Sequence, residues 1–187
     1  CKIDSFKGSI AAVAEAMRNV AAVGATPYGM TDCLNYGNPE KPEAFNDFVE
    51  GVKGISEAAK NIPLKGTDEP VAFVSGNVSF YNESPDRAVY PTPTIGMLGL
   101  VEDLSHITTS YFKNEGDLIY VLGEDKEELG GSEYLKVIYK KVEGNSPQID
   151  LQTEKKLQEN VLELIKKKLI NSAHDISEGG IICALAE

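Results

Sequence analysis

Apolar residues recur at helical spacing over 9–23, where Ile10, Val13, Ala14, Met17, Val20 and Ala21 share one side of a 3.6-residue period. Ser9 stands where an N-cap is expected, and Gly24 with Pro27 just beyond marks a stop. Residues 27–34 then read as extended, ending in Asp32-Cys33-Leu34, and Asn35-Tyr36-Gly37-Asn38-Pro39 is a cluster of turn formers. A second helix is predicted over 42–62. Pro42 suits its first turn, and Phe45, Phe48, Val49, Val52, Ile55, Ala59 and Ile62 form an apolar stripe. Gly51 and Gly54 interrupt it at a cost of about 1 kcal/mol each relative to Ala, a composition suited to close packing of the helix on a sheet.

Residues 70–75 read as a buried strand that breaks at Gly76-Asn77, with alternation resuming over Val78-Ser79-Phe80-Tyr81. A polar, proline-rich connection over 82–93 leads to a further apolar run, 94–101, whose Gly96 and Gly99 point to close backbone approach or a bend. The character changes near 112–117. Beyond it come an expected strand over Leu118–Leu122, a helix from Gly130 to about Lys140 and a charged amphipathic helix over 151–169. On that helix Leu157, Val161, Leu164, Ile165 and Leu169 share a side. A strand-like piece, Asn171–Ile176, and a last helix after Gly179-Gly180 follow. The class is α+β with α/β-like alternation. Two units are expected, 1–114 and 115–187. Both ends fall inside predicted elements, which suggests a piece of a longer polypeptide.

Composition narrows the function. Hydrophobic residues at 42% and charged residues at 25% are those of a soluble globular protein. The net charge of -11 argues against nucleic-acid binding, which leans on Lys and Arg to neutralise phosphates. Backbone N–H groups and a bound Mg²⁺ still permit an anionic small ligand. No apolar run reaches the roughly 18–20 residues that span a membrane. Cys1, Cys33 and Cys183 are odd in number and widely spaced, which fits a reducing, cytoplasmic setting better than a disulfide framework or a zinc site.

P-loop, GxGxxG and GxSxG patterns are all missing. The chemistry-bearing residues that remain are local. In Ser75-Gly76-Asn77-Val78-Ser79, Gly76 lets a ligand come close to the backbone. Asn77 offers Mg²⁺ a carbonyl oxygen. Ser79, two residues on, shares a strand face with Asn77 and suits a phosphate or substrate oxygen. The same residues also fit a plain glycine bulge capped by Asn and Ser. Asp32 is a candidate ligand of a metal or nucleotide, or a cap on the turn that follows. Glu83 reads as a solvated loop residue, Cys33 as a packed small side chain, and Ser177-Glu178-Gly179-Gly180 as either an anion site at a helix start or an ordinary cap. His174-Asp175 has too few histidine companions for a metal site.

Longer strings carry more than these short patterns. Ala14-Glu15-Ala16-Met17-Arg18-Asn19-Val20, Gly24-Ala25-Thr26-Pro27, Thr31 to Glu40, Ser75 to Glu83, Pro91 to Met97, Gly131-Ser132-Glu133 and Ser172 to Gly180 resemble, in order, the second half of the phosphoribosylformylglycinamidine synthase large subunit. That family belongs to the aminoimidazole ribonucleotide synthetase superfamily. The resemblance implies a partial second N-type module, without its front strands, and the start of a C-type module. It implies an ATP- and Mg²⁺-dependent C–N ligase of purine biosynthesis that converts formylglycinamide ribonucleotide to the amidine with glutamine-derived ammonia. Carried over residue by residue, Asp32 and Gly76 correspond to ATP contacts, Asn77 to a Mg²⁺ ligand and Ser79 to a substrate contact. The family's catalytic histidines and acidic metal ligands belong to the first half, so no catalytic residue is expected here. Implied partners are a glutaminase subunit or domain and the remaining half of the polypeptide, with a homodimer as a way to cover an open sheet edge. Alternative readings are a non-catalytic assembly or structural nucleotide-binding module, or another synthetase of the superfamily.

Overall fold

The computed structural model describes residues 1–187 in the order α1 (Ser5–Ala22), β1 (Thr26–Asn35), α2 (Pro42–Asn61), β2 (Ala72–Ser79), β3 (Thr92–Leu100), a 3-10 turn (Leu104–His106), α3 (Glu133–Tyr139), α4 (Leu151–Lys166) and α5 (Gly180–Ala186). Helix α1 begins a turn before the position that Ser9 predicted. Asp4 caps it, accepting from Lys7 N at 2.9 Å, and Ser9 lies one turn inside, fully buried. The stop at Gly24 is as expected. Its φ of +89 suits glycine, and Ala25 N donates back to the Val20 carbonyl at 2.9 Å.

The sheet has the order β2-β1-β3, with β1 parallel to β2 and antiparallel to β3. Two expectations for β2 fail. It does not break at Gly76-Asn77 but pairs with β1 straight through them. The irregularity falls earlier, where Met30 pairs with Phe73 and Thr31 with Ser75, so that Val74 is the extra residue. Nor is β2 buried: it is an edge strand, exposed along almost its whole length. Strand β3 meets expectation at its glycines. A Cβ on Gly99 would press into Ala25 and Val20, and one on Gly96 into Thr31.

The core lies on one face of the sheet. Met30 and Leu34 of β1 meet Ile10, Val13 and Met17 of α1 and Ile55, Ala58 and Ala59 of α2, with Tyr36, Ile62 and Val71 completing the cluster. Burying side chains of this size contributes roughly 1.5–3 kcal/mol for each large one. Phe48 joins the cluster through edge contacts to Tyr36 at 5.5 Å and Phe80 at 5.0 Å.

Helix α2 buries much of the stripe expected of it, Phe48, Ile55, Ala59 and Ile62, with the inward face rotated toward its glycines. Phe45 and Val52 are exposed, and the buried line runs through Gly51, Gly54, Ile55, Ala58 and Ala59. Gly54 serves contact with α1, and Gly51 makes room for both Tyr36, just past β1, and Ser9 of α1. A Cβ on Gly54 would collide with the Phe6 carbonyl, and one on Gly51 with the Tyr36 hydroxyl.

Beyond β3 the expected strands at Leu118–Leu122 and Asn171–Ile176 are missing. The run from Leu118 to Leu122 is exposed, because a strand forms only against a partner and none in this chain pairs with it. The helices are present: α3 is capped by Ser132 and ends at Lys140 in the left-handed region, and α4 is capped by Asp150. Helix α4 docks on α1 through Glu154, Gln158, Leu162 and Ile165, with Leu157, Val161 and Leu164 flanking that line and Leu169 exposed. A glutamate occupies the buried line because Arg18 Nη1 of α1 donates to it at 3.0 Å and Gln158 Nε2 at 2.9 Å. No helix is long and apolar enough to cross a membrane.

Replacing Gly54 by alanine should destabilise the chain by about 1–3 kcal/mol, since the methyl group meets backbone. Helix propensity alone predicts the opposite sign, a gain of about 1 kcal/mol. Urea unfolding of Gly54→Ala against the parent decides between them.

Candidate functional site

Parallel strands β1 and β2 both end at one rim of the sheet, and all four site residues predicted from the sequence lie toward those carboxyl ends. Alternation along the strands divides them between two faces. Asp32 pairs with Gly76 in the ladder, and its neighbours on the same face, Met30 and Leu34, belong to the core. The half-buried Asp32 carboxylate lies over Gly76, so that a Cβ there would stand 2.7 Å from Asp32 Oδ1. The glycine makes room for the carboxylate as well as for any approaching ligand.

The other face is open. There Asn77 pairs with Cys33, and its Nδ2 donates weakly to Cys33 Sγ at 3.6 Å; Asn35 Nδ2 reaches the same sulfur at 3.7 Å. The exposed Asn77 amide is a neutral group available on this face. The chain holds no cluster of three or more His, Cys, Asp or Glu able to bind a metal. Asp32, on the opposite face, does not join Asn77 as a second ligand. The structure thus brings together Asp32 with Gly76, and Asn77 with Cys33 and Asn35.

Ser79 ends β2, half-buried, and its hydroxyl donates to Asn82 Oδ1 at 3.1 Å. Asn82 in turn donates from Nδ2 to the Ser79 carbonyl at 2.8 Å and the Tyr36 carbonyl at 3.1 Å. Backbone bonds extend the clasp: Tyr36 N to Ser79 O at 3.0 Å, Tyr81 N to Gly37 O at 3.0 Å and Asn82 N to Tyr36 O at 3.2 Å. Glu83, expected to be merely solvated, instead holds Lys41 Nζ on both carboxylate oxygens at 3.0 Å. Sequence reasoning missed Asn82 and Lys41. Each sits in a polar connection without periodicity, and the only available signal was the three-residue spacing of Asn82 from Ser79.

Tyr36 anchors the clasp from within. Its side chain is 1% exposed, and its hydroxyl lies beside Ser9. Burial first, then the Asp47 carboxylate, push its pKa up to about 12 against the opposing contact of the Ser9 hydroxyl, with Asp32 adding less. Far from this rim, His174 Nδ1 meets the Asp175 carbonyl at 2.7 Å and Nε2 meets Glu187 Oε2 at 3.1 Å. This histidine lines a cavity of about 290 Å³ with Glu15, Asp175, Ser177, Glu178, Ala184 and Glu187, four of them acidic. The expected cap at Ser177 or Glu178 falls instead on Gly179, and α5 has only 7 residues.

Family comparisons bear on the same segments. The profile described as AIR synthase related protein, N-terminal domain, matches residues 1–101, and that of the corresponding C-terminal domain matches 114–187. The chain belongs to the AIR synthase related family. Among similar proteins are the phosphoribosylformylglycinamidine synthase subunits PurL of Thermoanaerobacter pseudethanolicus and of Caldanaerobacter subterraneus subsp. tengcongensis. Each is 56% identical over 187 residues, which is 100% of this chain and 25% of the relative. The chain therefore spans about a quarter of those relatives' length. A Thermotoga maritima PurL solved with FGAR shares the fold at TM-score 0.62 and 19% identity, over 98% of this chain and 28% of that one. The same protein solved with ADP gives 0.53 and 23%, over 88% of this chain and 22% of that one. The α+β class and the AIR synthase-like modules expected from the sequence are thereby established.

In this family member the His174 pKa lies above its ordinary 6.5, raised first by the Asp175 carbonyl, opposed by burial, and raised further by the Glu187 and Asp175 carboxylates. A raised folded value means that the protonated imidazole adds stability fully present below about 6.5, the ordinary value, and lost as pH rises through the higher folded value. NMR titration of the two histidines should place the His174 midpoint above 6.5, and Glu187→Gln should lower it.

Proposed function

We propose that this chain is a segment of a phosphoribosylformylglycinamidine synthase and supplies one wall of an ATP–Mg²⁺ site. The observation that carries the reading is 56% identity to PurL subunits across every residue of the chain. The reaction is the ATP-dependent conversion of formylglycinamide ribonucleotide and ammonia to formylglycinamidine ribonucleotide, ADP and phosphate. The amide oxygen attacks the γ-phosphorus and ADP leaves; ammonia then adds to the activated carbon and phosphate leaves. In this reading Asp32 contacts the nucleotide and Gly76 lets it approach the ladder. Asn77 donates one neutral oxygen to Mg²⁺, and Ser79 touches the ribonucleotide.

Asp32 and Gly76 lie on the helix side of the sheet and Asn77 on the open side, so in this reading nucleotide and cation meet at the carboxyl ends of the strands. Asn77 alone cannot hold Mg²⁺ and the chain has no cluster of three or more His, Cys, Asp or Glu, so the remaining ligands come from the phosphates and from the rest of the polypeptide. When bound, the cation offsets charge on the transferring phosphoryl group. Ammonia comes from a glutaminase subunit or domain. The exposed Leu118–Leu122 run is the first strand of a C-type module whose partners lie elsewhere in the polypeptide, with the junction at 114/115. The open edge of β2 and the uncovered sheet face fit assembly with the other half or with a second copy. Three free cysteines suit a reducing, cytoplasmic setting.

One observation favours a second reading, a structural nucleotide that is held and not turned over. Lys41, the cation bound into the clasp, is committed to Glu83 and not left for a transferring phosphoryl group. Kinetics of the full-length enzyme with its glutaminase separate the two. Gly76→Ala displaces the Asp32 carboxylate, and should raise KM for ATP about tenfold, or about 1.4 kcal/mol. Asn77→Ala should raise the Mg²⁺ concentration needed for half-maximal rate. Loss of a copurifying nucleotide with both parameters unchanged would support the structural site, and no change of any kind would refute both readings.

A further inference from the structure

The hydrogen bonds around Ser79 fix which kind of group it recognises. Asn82 Nδ2 faces two carbonyl oxygens, those of Ser79 and Tyr36, and a carbonyl only accepts. The amide orientation is therefore settled: nitrogen toward the carbonyls, oxygen toward the Ser79 hydroxyl. Asn82 Oδ1 can only accept, so the Ser79 hydroxyl proton is committed to it at 3.1 Å. What Ser79 has left for a ligand is lone pairs. The clasp prevents a rearrangement at low cost, because Asn82 N is itself tied to Tyr36 O, Tyr36 N to Ser79 O, and Glu83 next in sequence to Lys41.

We propose that Asn82 is a positioning residue that turns Ser79 into an obligate hydrogen-bond acceptor, so that Ser79 selects a donor on the ligand, a ribose hydroxyl or an amide N–H, and not a phosphate oxygen. This rests on the reading of Ser79 as a substrate contact. A free serine hydroxyl rotates to suit either partner; one with its proton already spent discriminates, because a phosphate oxygen placed against its lone pairs meets acceptor with acceptor. Asn82 thus adds selectivity to Ser79 without touching the ligand.

The test uses the full-length enzyme with its glutaminase. It compares KM for formylglycinamide ribonucleotide and the inhibition constant of the dephosphorylated riboside across Ser79→Ala, Asn82→Ala and the double variant. Ser79→Ala should weaken both ligands by the same factor, about tenfold, because the recognised donor is not on the phosphate. Asn82→Ala should raise KM for the ribonucleotide several-fold with KM for ATP unchanged, and should add nothing in the Ser79→Ala background, since it acts through that hydroxyl. A Ser79→Ala penalty that disappears for the riboside would show that Ser79 faces the phosphate and overturns the inference; this arm stands even if Asn82→Ala folds poorly. An Asn82→Ala effect of equal size in both backgrounds also overturns it, as a merely structural role. Ser79→Ala without effect on the ribonucleotide would instead remove the substrate contact on which the inference rests, and the inference with it.

Discussion

The ladder that joins β1 to β2 in parallel and to β3 in antiparallel register fixes the rest of the molecule. Strand β1 is hydrogen-bonded on both edges and packed on one face, so its side-chain alternation cannot slip without turning Met30 and Leu34 out of the core. The same alternation sends Asp32 to the helix side and Cys33 and Asn35 to the open side. Register with β2 then brings Gly76 under Asp32, Asn77 beside Cys33 and Ser79 level with Asn35. The two helices are free to close over the packed face because Ser9, Gly51 and Gly54 are small where they meet.

Function-bearing positions are built around that register in two ways. Asp32 with Gly76 is a carboxylate given space by an absent side chain. Asn77 and Ser79 are neutral groups whose orientation is set by neighbours: sulfur for the first, an amide for the second. The clasp between 36–41 and 79–83 consumes most of the local polar capacity internally, which leaves a few outward-facing atoms of defined character.

Much of this was legible in the sequence, for physical reasons that differ by element. Helices α1 and α2, strand β1 and the β3 glycines announce themselves through periodicity and backbone conformation, which are local. Helix α4 does not. Its buried line includes Glu154, and nothing near Glu154 in sequence reveals that Arg18, 136 residues away, neutralises it. Ser9 is a good cap by type, yet Asp4 takes that role and Ser9 becomes a packing residue beneath α2. Leu118–Leu122 has strand composition without a strand partner, so propensity is left unexpressed. At the site, the residue types and the shared face of Asn77 and Ser79 were readable. The separation of Asp32 from Asn77, and the commitment of the Ser79 proton to Asn82, depend on pairing between strands some 40 residues apart.

The most direct test of the central claim is a structure of the full-length parent protein with Mg²⁺ and a non-hydrolysable ATP analogue. The account predicts phosphates at the carboxyl ends of β1 and β2, with Asn77 Oδ1 on the cation and Asp32 contacting the nucleotide across Gly76. A nucleotide bound in the catalytic site of the protein but remote from this rim, with Asn77 still facing solvent, would contradict it.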